Sequence, residues 1–402
     1  MEARYLKRSR RLILWLNSQL TAQFSTPPEG CSLTQWSGPL FIVGPWRSGT
    51  SLLYALLNKH PRIAVLYEGD LFLLRPLFWL PGAASRWVAR WEFWNDALNR
   101  HGLTAGRIQS NTSCVRTAME RAYQEYACQK SAQIWGEKSP NYYDSLARLA
   151  RDFPDARFII IWRDLAAICR SVIRAAQEPS WFDRRGTTHR ALMGYKTLKT
   201  ECDRLVRGGA SVYQIQYEAL VGNPADVMMG VCRFLGVPFV PCVASLNGAD
   251  RSAIYEDRHH SLVKGERIGC PVERPEILPM KLRKKINRYV CLWHQQSGGT
   301  WPVIPCLQNY DHGKPTLAER VSDQVVYHAL RSFDFLVLLT CCFVPFRFLR
   351  MYRAFKYQQR EYSARMQQRG PADRRQMDPP ISPPSALRSP TLAVKHHDRS
   401  QR

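Results

Sequence analysis

The chain has 402 residues, 45% of them hydrophobic and 11% aromatic, enough to bury one large core or two ordinary ones. That composition excludes a wholly disordered protein. The formal charge of +24 favours polyanionic partners: nucleic acid, acidic glycan, anionic lipid or a polyphosphorylated cofactor. Much of the excess lies near the two ends, so charge alone selects none of them. The 12 cysteines have no CxxC spacing, and Cys169, Cys232 and Cys291 sit in apolar contexts. This predicts reduced thiols packed as small hydrophobes in a reducing compartment.

In residues 1–37, Arg8, Arg10 and Arg11 precede a short apolar run, and Leu6, Ile13, Leu16 and Leu20 fall on one helical face. The run is too short for a signal peptide. It reads as a basic amphipathic helix, docked on the protein or lying on a membrane surface. Residues 38–310 alternate as an α/β domain. Pro39–Val43 is a strand ending at Gly44, and Ser51–Lys59 is a helix stopped before His60-Pro61. Ile63–Tyr67 is a second strand. Residues 71–127 are read as a helical, Trp-rich region for substrate. There Trp87, Trp91 and Trp94 have the spacing of a core stripe, or of platforms for sugar rings. Gln133–Trp135 is a strand, Asp144–Arg151 a helix, Arg157–Trp162 a strand, and Ala166–Ala176 a helix. Val212–Gln216 is a strand, and Pro224–Leu235 is a helix closed by Gly236.

Strands separated by helices imply a P-loop-like, three-layer fold: a central, mostly parallel sheet of about five strands with helices on both faces. Residues 311–369 form a C-terminal helical segment. Its apolar run Phe333–Phe346 is shorter than the ~20 residues of a spanning helix. Arg347, Arg350, Arg353 and Lys356 follow, so the run reads equally as a buried helix or as an interfacial one on anionic lipid. Residues 370–402, rich in Pro, Ser and Arg, are expected to be a disordered basic tail.

In such sheets, ligands bind at the carboxyl ends of the strands, and three motifs fall there. The first is Gly44-Pro45-Trp46-Arg47-Ser48-Gly49-Thr50-Ser51, a strand–loop–helix turn without the lysine of a Walker loop. Its backbone N–H groups and helix N-terminus suit an anion. Ser48, Thr50 and Ser51 add hydroxyls, and Arg47 adds a planar cation. The second is Arg163-Asp164 after the fourth strand, with Ser171 about two helical turns on, where a nucleotide hydrolase has a magnesium-binding aspartate. The Arg163/Ser171 pair suits a second phosphate. The alternatives are a displaced metal ligand at Asp164 and a plain surface ion pair at Arg163. The third is Trp135-Gly136-Glu137-Lys138-Ser139-Pro140, whose Lys138 is either a solvated turn lysine or a cation in the same crevice.

These stretches resemble the sulfotransferases that use 3′-phosphoadenosine 5′-phosphosulfate. Pro45–Leu53 is similar to the family's 5′-phosphosulfate loop, and Arg163 with Ser171 to its 3′-phosphate motif. Gln216-Tyr217-Glu218-Ala219-Leu220-Val221 with Pro224, then Phe234-Leu235-Gly236, is similar to a further family segment. The likeness runs from about Leu40 to Phe239. It is nearer the tyrosylprotein and heparan-type branch, with its bacterial relatives, than the small-molecule branch.

The resemblance implies sulfuryl transfer from that nucleotide to an acceptor hydroxyl, with no metal. Arg47, Ser48, Gly49, Thr50, Ser51, Arg163, Ser171 and Tyr217 would hold the nucleotide. Arg47 and Lys138 would stabilise the transferring group. Glu68, at a strand end, would be the general base, with Asp70 and His60 as competitors. Lys264 and Arg267, in Ser261–Gly269, would belong to a late nucleotide-closing loop. Arg174 lies near a family arginine but out of register. A glycan or glycolipid is the expected acceptor, with a small alcohol or peptide tyrosine as alternatives. No specific nucleic-acid contact is expected. The expected location is the cytoplasm, with peripheral contact to the inner membrane face as a variant, because no spanning anchor precedes the domain. Two rival readings differ in requirements. A P-loop kinase or hydrolase needs ATP and Mg²⁺, and a basic scaffold on membrane or nucleic acid needs neither Arg47 nor Glu68.

Overall fold

The computed structural model describes residues 37–78, 87, 88, 90, 91, 97–103, 115–176, 188–254, 261–269, 278–296, 314–345, 347, 348 and 351. The expected N-terminal helix, Trp94, Arg350, Arg353, Lys356 and the basic tail lie outside them. Five parallel strands form one sheet: β1 (Ser37–Val43), β2 (Ile63–Tyr67), β3 (Ile134–Lys138), β4 (Arg157–Trp162) and β5 (Ser211–Gln216), in the order β2-β3-β1-β4-β5. β1 is central, with Phe41 beside Glu137 on one side and beside Phe158 on the other.

The strands are apolar runs because both faces are covered. Leu40, Ile42, Ile63, Val65, Ile159 and Ile161 point to one core, while Phe41, Val43, Ala64, Leu66, Phe158 and Ile160 point to another. Each such side chain contributes roughly 1.5–3 kcal/mol by leaving water. The first face carries α1 (Thr50–Leu57), α6 (Tyr217–Gly222) and α7 (Pro224–Leu235). The second carries α2 (Val115–Gln129), α3 (Leu146–Asp152), α4 (Leu165–Ala176) and α5 (Thr188–Arg207). The chain is therefore a three-layer α/β fold with a P-loop-like opening. α7 starts on Asn223, whose side chain accepts from Asp226 N, and ends on Gly236 in the left-handed region (φ 70°), as its sequence signals predict.

Three differences from the sequence reading have physical causes. β3 continues through Gly136 and Glu137 to Lys138, so Lys138 ends a strand and is no solvated turn residue; it is only 1% exposed. The sequence reading places no element between Ala176 and Val212, yet α5 fills most of that gap. Its buried Leu192, Tyr195, Leu198, Cys202 and Leu205 keep helical spacing, but buried Arg190, Lys199 and Glu201 interrupt the apolar pattern. Finally, Cys128 is disulfide-bonded. The uniform set of reduced thiols is corrected at this position, although Cys169, Cys202, Cys232, Cys242, Cys291 and Cys342 are free.

Three short or C-terminal helices follow the sheet: α8 (Ser261–Lys264), α9 (Met280–Gln296) and α10 (Leu317–Phe343). α10 packs on α5, where Arg190 Nη1 donates to Asp334 Oδ2 at 2.7 Å, and it meets Tyr143 through the Tyr327 hydroxyl at 3.1 Å. Its other side leaves Val325, Phe333, Leu336 and Phe343 exposed. The apolar run from Phe333 is thus the end of a longer helix, buried on one side and open on the other. No described helix is long and apolar enough to cross a membrane. The chain divides after Phe343; within the second part, the Arg347 guanidinium lies 4.7 Å from the centre of the Phe348 ring.

Candidate active site

The loop after β1 turns tightly, with Ser48 N donating to Pro45 O at 3.0 Å. Arg47 (φ 71°) and Gly49 (φ 99°) are both left-handed. Gly49 packs on the Tyr217 ring, and any Cβ there would fall into that ring. Glycine is therefore required by sterics as well as by φ. α1 begins at Thr50 directly after this turn, so its first amides and dipole point into the loop.

Four residues expected to hold the nucleotide converge here. Arg47 Nε donates to Ser171 Oγ at 3.0 Å, joining the loop to α4. Arg163, at the end of β4, donates from Nη1 to Arg47 O at 2.8 Å, and its guanidinium lies 4.3 Å from the centre of the Tyr217 ring. Arg163, Ser171, Arg47 and Tyr217 thus form one cationic wall across β1, β4 and β5. Among the described residues, the buried Ser48 Oγ and Arg163 Nε have no hydrogen-bond partner. A buried polar group without a partner costs about 1–3 kcal/mol. Arg47, Arg163 and the first amides of α1 supply the positive charge and donors that a phosphorylated ligand needs, so this donor set fits the nucleotide implied by the sequence. Ser51 Oγ is within 2.9 Å of Tyr67 Oη, which carries the site across to β2. Lys264 is exposed, and α8 packs near α1, with Lys264 O accepting from Arg251. Arg267 and Arg174 are exposed as well. Among the described residues, no hydrogen bond or ion pair joins Lys264 to the wall just described.

On the other side of the loop lies a carboxylate cluster. Glu68 (φ 50°) and Asp70 (φ 55°) flank Gly69 just after β2, two non-glycine residues in the left-handed region. Such backbone costs of order 1–3 kcal/mol per residue and persists where its surroundings hold it. Here every part of the kink is held. Glu68 N donates to Lys138 O at 2.8 Å, and Trp91 Nε1 donates to Gly69 O at 3.0 Å. Asp70 N donates to the fully buried Glu137 carboxylate, which also accepts from Tyr123 and Tyr142. Asp70 Oδ1 accepts from Ser139 Oγ, and Asp70 Oδ2 accepts from Asn141 Nδ2 at 2.9 Å.

The electrostatics separate these acids. Burial, then the nearby Glu68 charge, pushes Asp70 up to about 6. Burial, then Asp70, pushes Glu137 up to about 8. Lys138 is pressed down by burial, opposed by Glu68. Its Nζ donates to Glu68 Oε1 and sits 3.8 Å from the centre of the Tyr67 ring. Glu68 keeps 14% of its side chain exposed, whereas both Asp70 oxygens are already engaged. The buried His60 is held at both ring nitrogens, by Pro238 O and Arg62 N, and serves the end of α1. Trp87 and Trp91 are core residues, with Trp91 bracing Gly69, so neither offers a face to a sugar ring.

A sulfotransferase family model matches residues 39–241. That stretch is half of the chain and spans β1 to the turn after α7.

The chain belongs to the sulfotransferase family.

Relatives include protein-tyrosine sulfotransferase 1 of Danio rerio, 25% identical over 250 residues, or 62% of this chain and 63% of the relative. Protein-tyrosine sulfotransferase A of Caenorhabditis elegans is 25% identical over 203 residues, or 50% of each chain. The nodulation protein NoeE of Sinorhizobium fredii is 27% identical over 218 residues, or 49% of each chain. The chain therefore spans 63% of the zebrafish relative's length and about half of the other two. Among solved structures, the sulfotransferase domain of the curacin biosynthetic pathway is 19% identical at a TM-score of 0.42, over 67% of this chain and all of that one. The sulfotransferase domain of the Synechococcus olefin synthase is 18% identical at 0.41, over 61% of this chain and 88% of that one.

Sequence reasoning missed Tyr67, Asn141 and Glu137 as parts of this sulfotransferase site. Glu137 stands beside Lys138 in the quoted motif, but only its burial with two tyrosines singles it out. Tyr67 carries a signal as the last strand residue before Glu68. Asn141 carries none.

Proposed function

We propose that this sulfotransferase moves a sulfuryl group from 3′-phosphoadenosine 5′-phosphosulfate to the phenolic hydroxyl of a protein tyrosine. The observation that carries it is the Glu68–Lys138 ion pair, held on the β2 and β3 ends beside the loop that opens α1. The nucleotide supplies the activated sulfuryl group. Ser48, Gly49, Thr50 and Ser51 cradle its 5′ end, Arg163 and Ser171 take its 3′-phosphate, and Tyr217 flanks the base. Glu68 takes the acceptor proton, because it is the carboxylate of the cluster with solvent access. Lys138 and Arg47 offset the charge that develops at the transferring group and on the leaving phosphate. Tyrosine is favoured over a glycan for two reasons. The zebrafish and nematode relatives carry the name protein-tyrosine sulfotransferase, and Trp87 and Trp91 are buried where a sugar platform needs open rings.

Transfer of labelled sulfate from the donor to a tyrosine peptide, against an oligosaccharide at equal concentration, tests the acceptor. Calorimetry with 3′-phosphoadenosine 5′-phosphate, against ATP with Mg²⁺, tests the nucleotide. Labelled peptide and preference for the 3′-phosphorylated nucleotide are expected. Label on the oligosaccharide alone overturns the acceptor, and binding of ATP alone overturns the whole reading.

A further inference from the structure

Beside the Ser51–Tyr67 contact, a second side chain joins the two halves of the site. Asn141 lies in the 3₁₀ turn Pro140–Tyr142, which starts three residues after Glu137 and is capped by Ser139. Its Oδ1 accepts from Trp46 Nε1 at 3.1 Å, and Trp46 belongs to the loop between β1 and α1. Its Nδ2 donates to Asp70 Oδ2 at 2.9 Å, and Asp70 closes the kink that carries Glu68. Its backbone N donates at 3.1 Å to Ser139 Oγ, which itself donates to the other Asp70 oxygen. The amide thus uses both its acceptor and its donor, one on each loop. Trp46 is also held from outside by Arg190, whose guanidinium lies 4.6 Å from the centre of the ring. A primary amide suits this place because its acceptor and its donors lie on separate atoms, one directed to each loop.

We propose that Asn141 is a positioning residue that ties the phosphosulfate loop to the kink at residues 68–70, so that the donor loop sets the placement of Glu68. It acts through Trp46 and Asp70 and touches no reacting atom. The assignment rests on the reading that the loop binds the donor and that Glu68 takes the acceptor proton. A misplacement of about 1 Å at a reacting group costs up to roughly a hundredfold in rate. Losing Asn141 therefore lowers kcat by about ten- to a hundredfold, while the KM for donor changes little.

The experiment compares Asn141→Ala, Trp46→Phe and the double variant in the full chain. Trp46→Phe keeps an aromatic ring near Arg190 and removes the indole N–H together with part of the ring. Amide hydrogen exchange is followed in a peptide covering residues 66–73, with residues 157–163 of β4 as the internal control. Affinity for 3′-phosphoadenosine 5′-phosphate and kcat are measured alongside. Both single variants are expected to speed exchange at 66–73, leave β4 and nucleotide affinity unchanged, and lower kcat. The double variant is expected to be no worse than the poorer single variant, because both break one link. Unchanged exchange at 66–73 in Asn141→Ala overturns the tie, whatever the activity. Additive losses in the double variant overturn it too, as does a fall in kcat matched by a fall in nucleotide affinity. A wild-type chain that transfers no sulfuryl group overturns the functional reading beneath it, and the exchange result then judges the tie separately.

Discussion

The wall of Arg47, Arg163, Ser171 and Tyr217 and the kink that carries Glu68 are built by different means. The wall is made of short stretches at the ends of β1, β4 and β5: a strained glycine turn, a strand-end arginine, and a serine down the next helix. Each piece makes few contacts of its own, and the sheet supplies their alignment. The kink is the reverse. Three residues after β2 are held by Trp91, Tyr123, Glu137, Ser139, Asn141 and Tyr142, several of them distant in sequence. A phosphate site can be written as local motifs because its donors are backbone amides, hydroxyls and two arginines near strand ends. A general base must be set to a fraction of an ångström, and here a buried polar network does that.

If the comparison is right, substitutions on the two sides should fail differently. Glu68→Gln should produce the largest change: turnover falls by at least about a hundredfold, with affinity for 3′-phosphoadenosine 5′-phosphate near wild type. Retained turnover in the transfer assay would erase the division of labour. Arg163→Ala should act on the other side. Loss of a charge-assisted contact of about 1.5–3 kcal/mol weakens the 3′,5′-bisphosphate nucleotide roughly ten- to a hundredfold. A nucleotide with only the 5′-phosphate should be little affected, and calorimetry with the pair reads the difference. Equal loss for both would remove the 3′-phosphate role. Gly49→Ala forces a Cβ into Tyr217 at a left-handed φ. It should lower stability by about 1–3 kcal/mol, seen as a drop in Tm, and weaken nucleotide binding with it. An unchanged Tm would show that the loop can rearrange.

The last effect is a pH dependence confined to the kink side. Asp70 is raised to about 6 and Glu137 to about 8, in each case by burial first. Raised carboxyls keep protons in the folded chain that the unfolded chain has already released. Folding is therefore favoured at acidic pH, and that stability is lost as pH rises. The loss runs from 3.8 to about 6 for Asp70 and from 4.5 to about 8 for Glu137. Glu137→Gln removes the second part. The Tm of the variant relative to wild type should rise steadily between pH 5 and 8, and a constant difference across that range would contradict the assignment.

The same contrast explains what could be read in advance. The sheet was legible from apolar runs, and the convergence of Gly49, Arg163, Ser171 and Tyr217 was legible because they stand at recognisable offsets from strand ends. Lys138 was legible as a residue but not as a buried strand end, because Gly136 and Glu137 break the apolar pattern of β3. Glu68 and Asp70 could not be separated in sequence, since the difference lies in the donors each one meets. Trp91 reads as a possible platform until its N–H is found on Gly69 O. Asn141 is invisible for the same reason: its meaning depends on Trp46 and Asp70, which only the folded chain brings together. Cys128 escaped because no spacing rule marks a disulfide when many cysteines are scattered.

The strand order gives the site a layout of its own. Read across the sheet from β2 to β5, the carboxyl ends present Glu68, Lys138, the glycine turn, Arg163 and Tyr217 in that sequence. Neighbouring strands lie about 4.8 Å apart, so the sheet edge is a ruler with one functional group at each mark. On the proposed reading, the acceptor's mark is at one end and the nucleotide's base is at the other. A change of acceptor would then need rebuilding only beside the β2 end, while the marks at β1, β4 and β5 stay fixed. A scaffold graduated in this way can exchange its customers without recalibrating its donor.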